Sequence, residues 1–155
     1  AFTRKNWDSM LKPTPQQFGQ LRTYGLSKLA NVLFADGLTM CFSKAGKKAK
    51  AVSLHPGVIN TPIFQRAGWK IRLMTQILTP VVWTLYKTPQ QGAQTTLECA
   101  LCPFNSLTPG AFYSNCGVAT KSRAVTRDNI LSFMRESTQL ASQITSHPFQ
   151  YLLIN

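Results

Sequence analysis

Residues 24–35 read YGLSKLANVLFA, a run rich in helix formers. It predicts one helix over residues 21–42. Residues four apart share a helix face, so Tyr24 and Lys28 should project together. An ammonium group one turn from a phenol stabilises the phenolate, which would make Tyr24 a usable acid or base at neutral pH. A Tyr-x-x-x-Lys spacing alone can also arise by chance in a lysine-rich chain, so its neighbours decide its meaning.

Two further patterns follow this helix. Residues 51–54 read AVSL, a short run typical of a buried strand, and residues 55–61 read HPGVINT. The succession Tyr-x-x-Ser-Lys, helix, strand and Pro-Gly-x-x-x-Thr closely resembles the second half of a short-chain dehydrogenase/reductase. The runs KTPQQGA at 87–93 and GAFY at 110–113 resemble its retinol-dehydrogenase-like branch. The resemblance covers about residues 22–142.

The resemblance implies a role for each of the two residues Tyr24 and Lys28. Tyr24 would be the catalytic acid/base. Lys28 would hydrogen-bond the nicotinamide ribose and support the phenolate of Tyr24. The cofactor would be NAD or NADP, between which the sequence does not choose.

The resemblance also implies a cofactor-binding loop after the strand. Pro56 and Gly57 would bring the backbone against the nicotinamide ring, and a glycine permits such an approach. The Val58 N–H and the Thr61 hydroxyl would meet the carboxamide or the pyrophosphate. An ordinary strand-ending turn is the alternative interpretation of this loop.

The predicted elements run helix, strand, helices, strand, helix, which is typical of an α/β fold. Thr88-Pro89 predicts a helix start, with a helix to about Cys102. Residues 111–114 predict a strand, and a last helix should start near Thr126 and Asp128. The resemblance implies the C-terminal portion of a Rossmann-type, doubly wound parallel sheet.

The glycine-rich turn of a dinucleotide fold has no counterpart here, because none of the nine glycines forms such a cluster. We therefore expect residues 1–155 to be a single partial domain, truncated, with the N-terminal cofactor-binding half absent. Residues 1–20 should form a loop-like lead-in. We expect this chain alone to be inactive and to bind the cofactor poorly.

The net charge of +12 raises the question of anionic partners. Most basic residues are scattered, except for four lysines within residues 44–50. A solvated turn is favoured there over a binding patch, and no nucleic-acid partner is expected, because no aromatic residues interleave with the lysines.

Apolar residues 63–86 are too broken to span a membrane. They predict core packing or a lid over a small lipophilic substrate, and peripheral membrane contact stays open.

The cysteines are Cys41, Cys99, Cys102 and Cys116. Cys99 and Cys102 have redox or zinc spacing, but no second pair follows and neither histidine lies at finger spacing. Buried, reduced thiols are predicted, with no metal site.

The location of the protein stays open between cytoplasmic and membrane-associated, both intracellular, and a homo-oligomer is not excluded.

Two hypotheses remain. The first is part of a nicotinamide-dependent oxidoreductase that interconverts an alcohol and a carbonyl on a retinoid- or steroid-like substrate. The second is a truncated, non-catalytic relative that acts as a binding or regulatory partner.

Overall fold

The computed structural model describes Thr14, residues 21–59 and residues 87–145. Its contacts divide the chain into two compact units. The first comprises Ala1–Ser53, Leu107–Phe112 and Ala119–Asn155, and the second comprises Leu54–Ser106 and Tyr113–Val118. The predictions for the lead-in, for Thr61 and for residues 63–86 lie outside the described residues. The prediction of one partial domain stays a prediction.

The described elements are three helices, three strands and one short 3-10 helix. In chain order they are α1 (Leu21–Lys44), β1 (Ser53–His55), α2 (Pro89–Leu101), the 3-10 helix (Phe104–Ser106), β2 (Phe112–Ser114), β3 (Gly117–Ala119) and α3 (Arg127–Thr145). The predicted α/β class is confirmed, and so are the predicted helices and the two predicted strands, within two residues at each end that is described. Within the described ranges, no helix is long and apolar enough to cross a membrane.

Helix α1 ends in a glycine turn. Gly46 has φ +61°, and the N–H of Lys47 donates to the carbonyl of Phe42 at 2.9 Å. The N–H of Gly46 donates to the carbonyl of Ser43 at 3.1 Å. These two bonds form a Schellman motif, which satisfies carbonyls that the end of a helix leaves unpaired. The lysines at positions 44, 47 and 48 are exposed around this turn, as the solvated-turn interpretation expects.

Helices α1 and α3 pack against each other within the first unit. Six of their buried apolar residues form one cluster, consisting of Ala30, Leu33, Cys41, Ile130, Phe133 and Met134. The two helices come close together at Gly37, where an added Cβ would lie 2.3 Å from the Met134 sulfur. Met134 is only 2% exposed, so its side chain has little room to retreat. The two helices can therefore be this close only because position 37 lacks a side chain.

A second contact in the first unit is electrostatic. The Lys121 ammonium donates to both oxygens of Asp36, at 2.6 and 2.7 Å. Asp36 is buried at 8% exposure, so its charge needs this partner. Gly110, at φ +71°, lies against the same carboxylate, and a Cβ there would be 2.9 Å from Oδ1. The ion pair thus ties α1 to the chain beyond β3.

The sheet has the strand order β1-β2-β3 and is mixed. The N–H of Gly110 donates to the Ala51 carbonyl, and the N–H of Ser53 donates to the Ala111 carbonyl. The partner number rises with position, so β1 and β2 run in parallel. Strand β3 returns beside β2 through a two-residue turn with positive φ at Asn115 (52°) and Cys116 (60°), the pattern of a type I′ hairpin. The sequence pattern did not predict β3, and the doubly wound parallel sheet stays a prediction.

Helix α2 starts as the sequence predicts. The Gln91 N–H donates to the Thr88 hydroxyl at 3.2 Å, and the Thr88 N–H donates to the Gln91 side-chain oxygen at 2.9 Å. Pro89 occupies the first helical position, where a missing N–H costs nothing. This capping box fixes the chain that enters α2.

We expect two glycines of α1 to respond in opposite ways to alanine. Gly25→Ala should stabilise the protein by about 0.5–1 kcal/mol, because nothing lies within 4 Å of its added Cβ and alanine favours the helix. Gly37→Ala gains the same propensity, but overpacking against Met134 costs about 1–3 kcal/mol. Urea unfolding of both variants measures the difference. Equal stabilisation by the two substitutions would contradict the close packing of α1 on α3.

Candidate active site

Tyr24 and Lys28 lie together on one face of α1, as the sequence predicts. The Lys28 ammonium nitrogen is 5.3 Å from the centroid of the Tyr24 ring. Both residues are exposed, and Tyr24 has 60% of its surface accessible. The Ser27 hydroxyl donates to the Tyr24 carbonyl at 2.7 Å, so it serves the helix rather than the phenol. The face therefore presents a phenol and a cation together to any ligand that reaches it.

The loop after β1 begins where the sequence places it. Strand β1 ends at His55, and Pro56 and Gly57 follow directly. Gly57 has φ +93°, a conformation in which a side chain would be strained. Val58 is about half exposed. Pro56 and Gly57 are half-buried, so the loop is partly accessible. The positive φ also fits the simpler interpretation as a strand-ending turn.

The side chain of Lys87, which no sequence pattern connects with this loop, covers Gly57. A Cβ built at Gly57 would lie 2.8 Å from Cδ and 3.0 Å from Cε of Lys87. The far end of the flexible Lys87 side chain could move aside, so the φ of +93° is the stronger reason for glycine here. Both features lie within the protein, and the presence of this glycine alone is not evidence for a ligand. Lys87 immediately precedes the Thr88-Pro89 helix start, and that local signal gives no indication of a contact 30 residues back along the chain.

The predicted site residues fall into two groups. Tyr24 and Lys28 belong to the first unit, while Pro56, Gly57 and Val58 belong to the second. The structure brings the members of each group together. The approach of the Tyr24 face to the Gly57 loop stays a prediction.

The prediction that all the cysteines are buried is wrong for three of the four. All four cysteines are reduced, but Cys41 alone is buried, Cys99 and Cys102 are half-buried, and Cys116 is exposed on the hairpin turn. Burial raises the pKa of Cys41, and the charge of Lys44 partly opposes it. Burial also raises the pKa of Cys99, and negative charge on neighbouring groups adds to the effect. Among the described residues, no group of three or more His, Cys, Asp or Glu side chains could hold a metal ion.

Comparison with known proteins gives a consistent set of relatives. Over 101 residues the chain is 39% identical to dehydrogenase/reductase SDR family member 13 of Bos taurus, covering 64% of this chain and 25% of that protein. Over 108 residues it is 33% identical to the short-chain dehydrogenase TIC 32 A, chloroplastic, of Brassica napus, covering 70% and 32%. Human polyprenol dehydrogenase is 38% identical over 80 residues, covering 52% and 23%. The chain belongs to the short-chain dehydrogenases/reductases.

The family membership rests on similarity to individual relatives, of which the chain covers only a part. No family model and no solved structure matches the chain. The chain spans about a quarter to a third of the length of the curated relatives it matches. Those relatives are oxidoreductases by name, and short-chain dehydrogenases/reductases generally use a nicotinamide cofactor.

We expect Gly57→Ala to destabilise the protein by about 1–3 kcal/mol, because alanine is strained at φ +93° and its methyl group meets the Lys87 side chain. Gly117→Ala in β3 is the matched control from the same unit. Its nearest neighbour would be 4.0 Å away, so it should stay within about 0.5 kcal/mol of the unaltered protein. Urea unfolding compares the two variants. A neutral Gly57→Ala would contradict the conformation of this loop.

We expect the four thiols to react with iodoacetamide in an order set by exposure and pKa. Cys116 should react first and Cys41 last, because the thiolate is the reactive form and a raised pKa lowers its fraction at pH 8. The Cys41 rate should keep rising at alkaline pH, where its thiolate forms. Peptide mass spectrometry gives each rate, and the order should vanish in denaturant. Fast labelling of Cys41 in the native protein would disprove its burial.

Proposed function

We propose that the protein carrying this chain is a nicotinamide-dependent oxidoreductase that interconverts an alcohol and a carbonyl on a small lipophilic, retinoid- or steroid-like substrate. The observation that carries the proposal is the placement of the Lys28 ammonium 5.3 Å from the Tyr24 ring, on an exposed helix face, in a short-chain dehydrogenase/reductase sequence. Tyr24 is the proton donor and acceptor, and Lys28 assists it.

The exposed groups fit the two ligands that such a reaction needs. An ammonium carries three N–H donors, and ribose hydroxyls are suitable acceptors. A phenol both donates and accepts, so it can bind either an alcohol or a carbonyl oxygen. The loop of Pro56, Gly57 and Val58 supports the nicotinamide end of the cofactor in this proposal, and Thr61 contributes its hydroxyl.

The chain's own residues handle the proton. The nicotinamide ring, when bound, supplies or accepts the hydride at the substrate carbon. During reduction the phenol of Tyr24 gives its proton to the carbonyl oxygen, and during oxidation the phenolate takes the proton from the alcohol. The Lys28 cation favours the phenolate in both directions. The hydride and the proton together account for the two hydrogens that separate an alcohol from its carbonyl.

The first experiment measures turnover of the complete protein with NAD and with NADP, using retinoid and steroid alcohols. Absorbance of the reduced nicotinamide follows the reaction. Turnover with either cofactor supports the proposal. Saturable cofactor binding without turnover of any alcohol or carbonyl would favour the non-catalytic alternative, and absence of binding would overturn the nicotinamide assignment.

We expect Tyr24→Phe to lower kcat by roughly a hundred- to ten-thousand-fold with cofactor affinity nearly unchanged, because the ring stays and the transferable proton goes. Lys28→Met should lower both kcat and cofactor affinity. The double variant should lose less than the sum, since without the phenol the part of the Lys28 effect that acts through it disappears. Lys47→Met, at an exposed lysine of the α1 turn, is the matched control. Fully additive losses would show that Lys28 does not act through Tyr24.

A further inference from the structure

The backbone of Lys87 is fixed by contacts of its own and by contacts of the residue that follows it. Its N–H donates to the Val58 carbonyl at 2.8 Å, and it forms an isolated parallel bridge with Ile59. The next residue, Thr88, is the N-cap of α2 and is fixed by its capping box with Gln91. The backbone of Lys87 therefore cannot move without breaking either the contact with the loop after β1 or the start of α2.

The side chain of Lys87 joins two turns. Its aliphatic part lies on Gly57, close enough that a Cβ there would be 3.2 Å from the ammonium nitrogen itself. The ammonium donates to the Asn115 side-chain oxygen at 2.6 Å. A hydrogen bond from a charged donor is among the stronger ones in proteins. Lys87 thus spans from the loop after β1 to the hairpin turn after β2.

Asn115 is itself firmly placed. It occupies the first position of the I′ turn at φ +52°. The next residue, Cys116, donates its N–H to the Thr95 hydroxyl at 3.2 Å, and Thr95 is fully buried in α2. Asn115, the acceptor of the Lys87 ammonium, is therefore anchored next to α2 through Cys116. Lys87 is anchored to the same helix, because it directly precedes the N-cap.

The loop after β1 and the turn after β2 lie at the same end of the sheet, where both strands finish. Strands β1 and β2 are neighbours and run in parallel, so the residues that follow His55 and Ser114 leave at the same end. Ligands of open α/β sheets bind outside the carboxyl ends of the strands. Lys87 restrains the glycine of the loop that the proposed function gives to the cofactor.

We propose that Lys87 is a positioning residue for the cofactor, which acts by holding Gly57 and Val58 in one backbone conformation. The inference rests on the proposed function, because it needs a ligand on that loop. Glycine has more backbone conformations to lose than any other residue, so an unrestrained Gly57 would have to be ordered when the ligand binds. Held by Lys87, the loop is ordered in advance.

The test uses the complete protein and begins with two substitutions. Lys87→Met keeps the aliphatic packing and removes the ammonium, while Asn115→Gly keeps the positive φ and removes the acceptor. Each should weaken cofactor binding by about five- to thirtyfold, the size of ordering one residue's backbone. At saturating cofactor, kcat should change by less than about twofold. The double variant should bind no worse than the weaker single variant, because the two substitutions remove the same hydrogen bond.

Two comparisons separate positioning from general stability. Lys87→Arg should recover part of the affinity, because its guanidinium can still donate to Asn115. Hydrogen exchange of the peptide that covers residues 54–59 should speed up in Lys87→Met, while exchange within α3 stays unchanged. Lys47→Met, the exposed control, should alter neither affinity nor exchange. A purely structural role would instead lower the unfolding midpoint and leave the affinity of the folded protein unchanged.

The outcomes distinguish this inference from the proposed function. If the unaltered protein binds a cofactor and Lys87→Met binds it equally well, the inference is wrong and the proposed function stands. Additive losses in the double variant would also overturn it, because the two residues would then act separately. If the unaltered protein binds neither NAD nor NADP, the proposed function fails, and the positioning role fails with it.

Discussion

The parallel pairing of β1 with β2 is the constraint on which the described site depends. Two backbone hydrogen bonds, from Gly110 to Ala51 and from Ser53 to Ala111, set the direction of this pairing. Because the two strands leave the sheet at the same end, the loop of Gly57 and the turn of Asn115 begin side by side. An antiparallel arrangement would have placed them at opposite ends, beyond the reach of one lysine side chain. The contact of Lys87 with both turns is thus a consequence of strand direction.

Three glycines lie against side chains from other parts of the chain, and two of them also have a positive φ. Gly37 admits the Met134 side chain between two helices, and Gly110 combines a positive φ with contact to a buried carboxylate. Gly57 combines a positive φ with the Lys87 side chain. Only the last lies in a motif that the family resemblance assigns to the cofactor. A glycine in such a motif can therefore reflect internal packing as well as ligand approach, and the two must be separated by experiment.

Local signals predicted the elements well, and non-local contacts account for what was missed. Thr88-Pro89 marked the start of α2 because a cap and an N1 proline act within one turn. Tyr24 and Lys28 could be paired because helix periodicity alone brings them together. Strand β3 was missed because its turn is Asn115-Cys116, without the glycine that makes an Asn-Gly hairpin recognisable. The contact of Lys87 with Asn115 joins residues 28 apart, and no local pattern contains it.

The exposure of Tyr24 and Lys28 limits what this pair can do by itself. A cation near an aromatic ring at an exposed site contributes only about 0.5–1 kcal/mol, because water screens it. The same charge acts far more strongly on a developing phenolate when water is excluded, since the Coulomb energy rises as the effective dielectric constant falls. At 60% exposure Tyr24 is not yet in such an environment. In the proposed mechanism, the bound ligands must therefore cover the helix face before a proton transfer from Tyr24 becomes efficient. A lipophilic substrate suits this requirement, because its own apolar surface would displace water from the phenol.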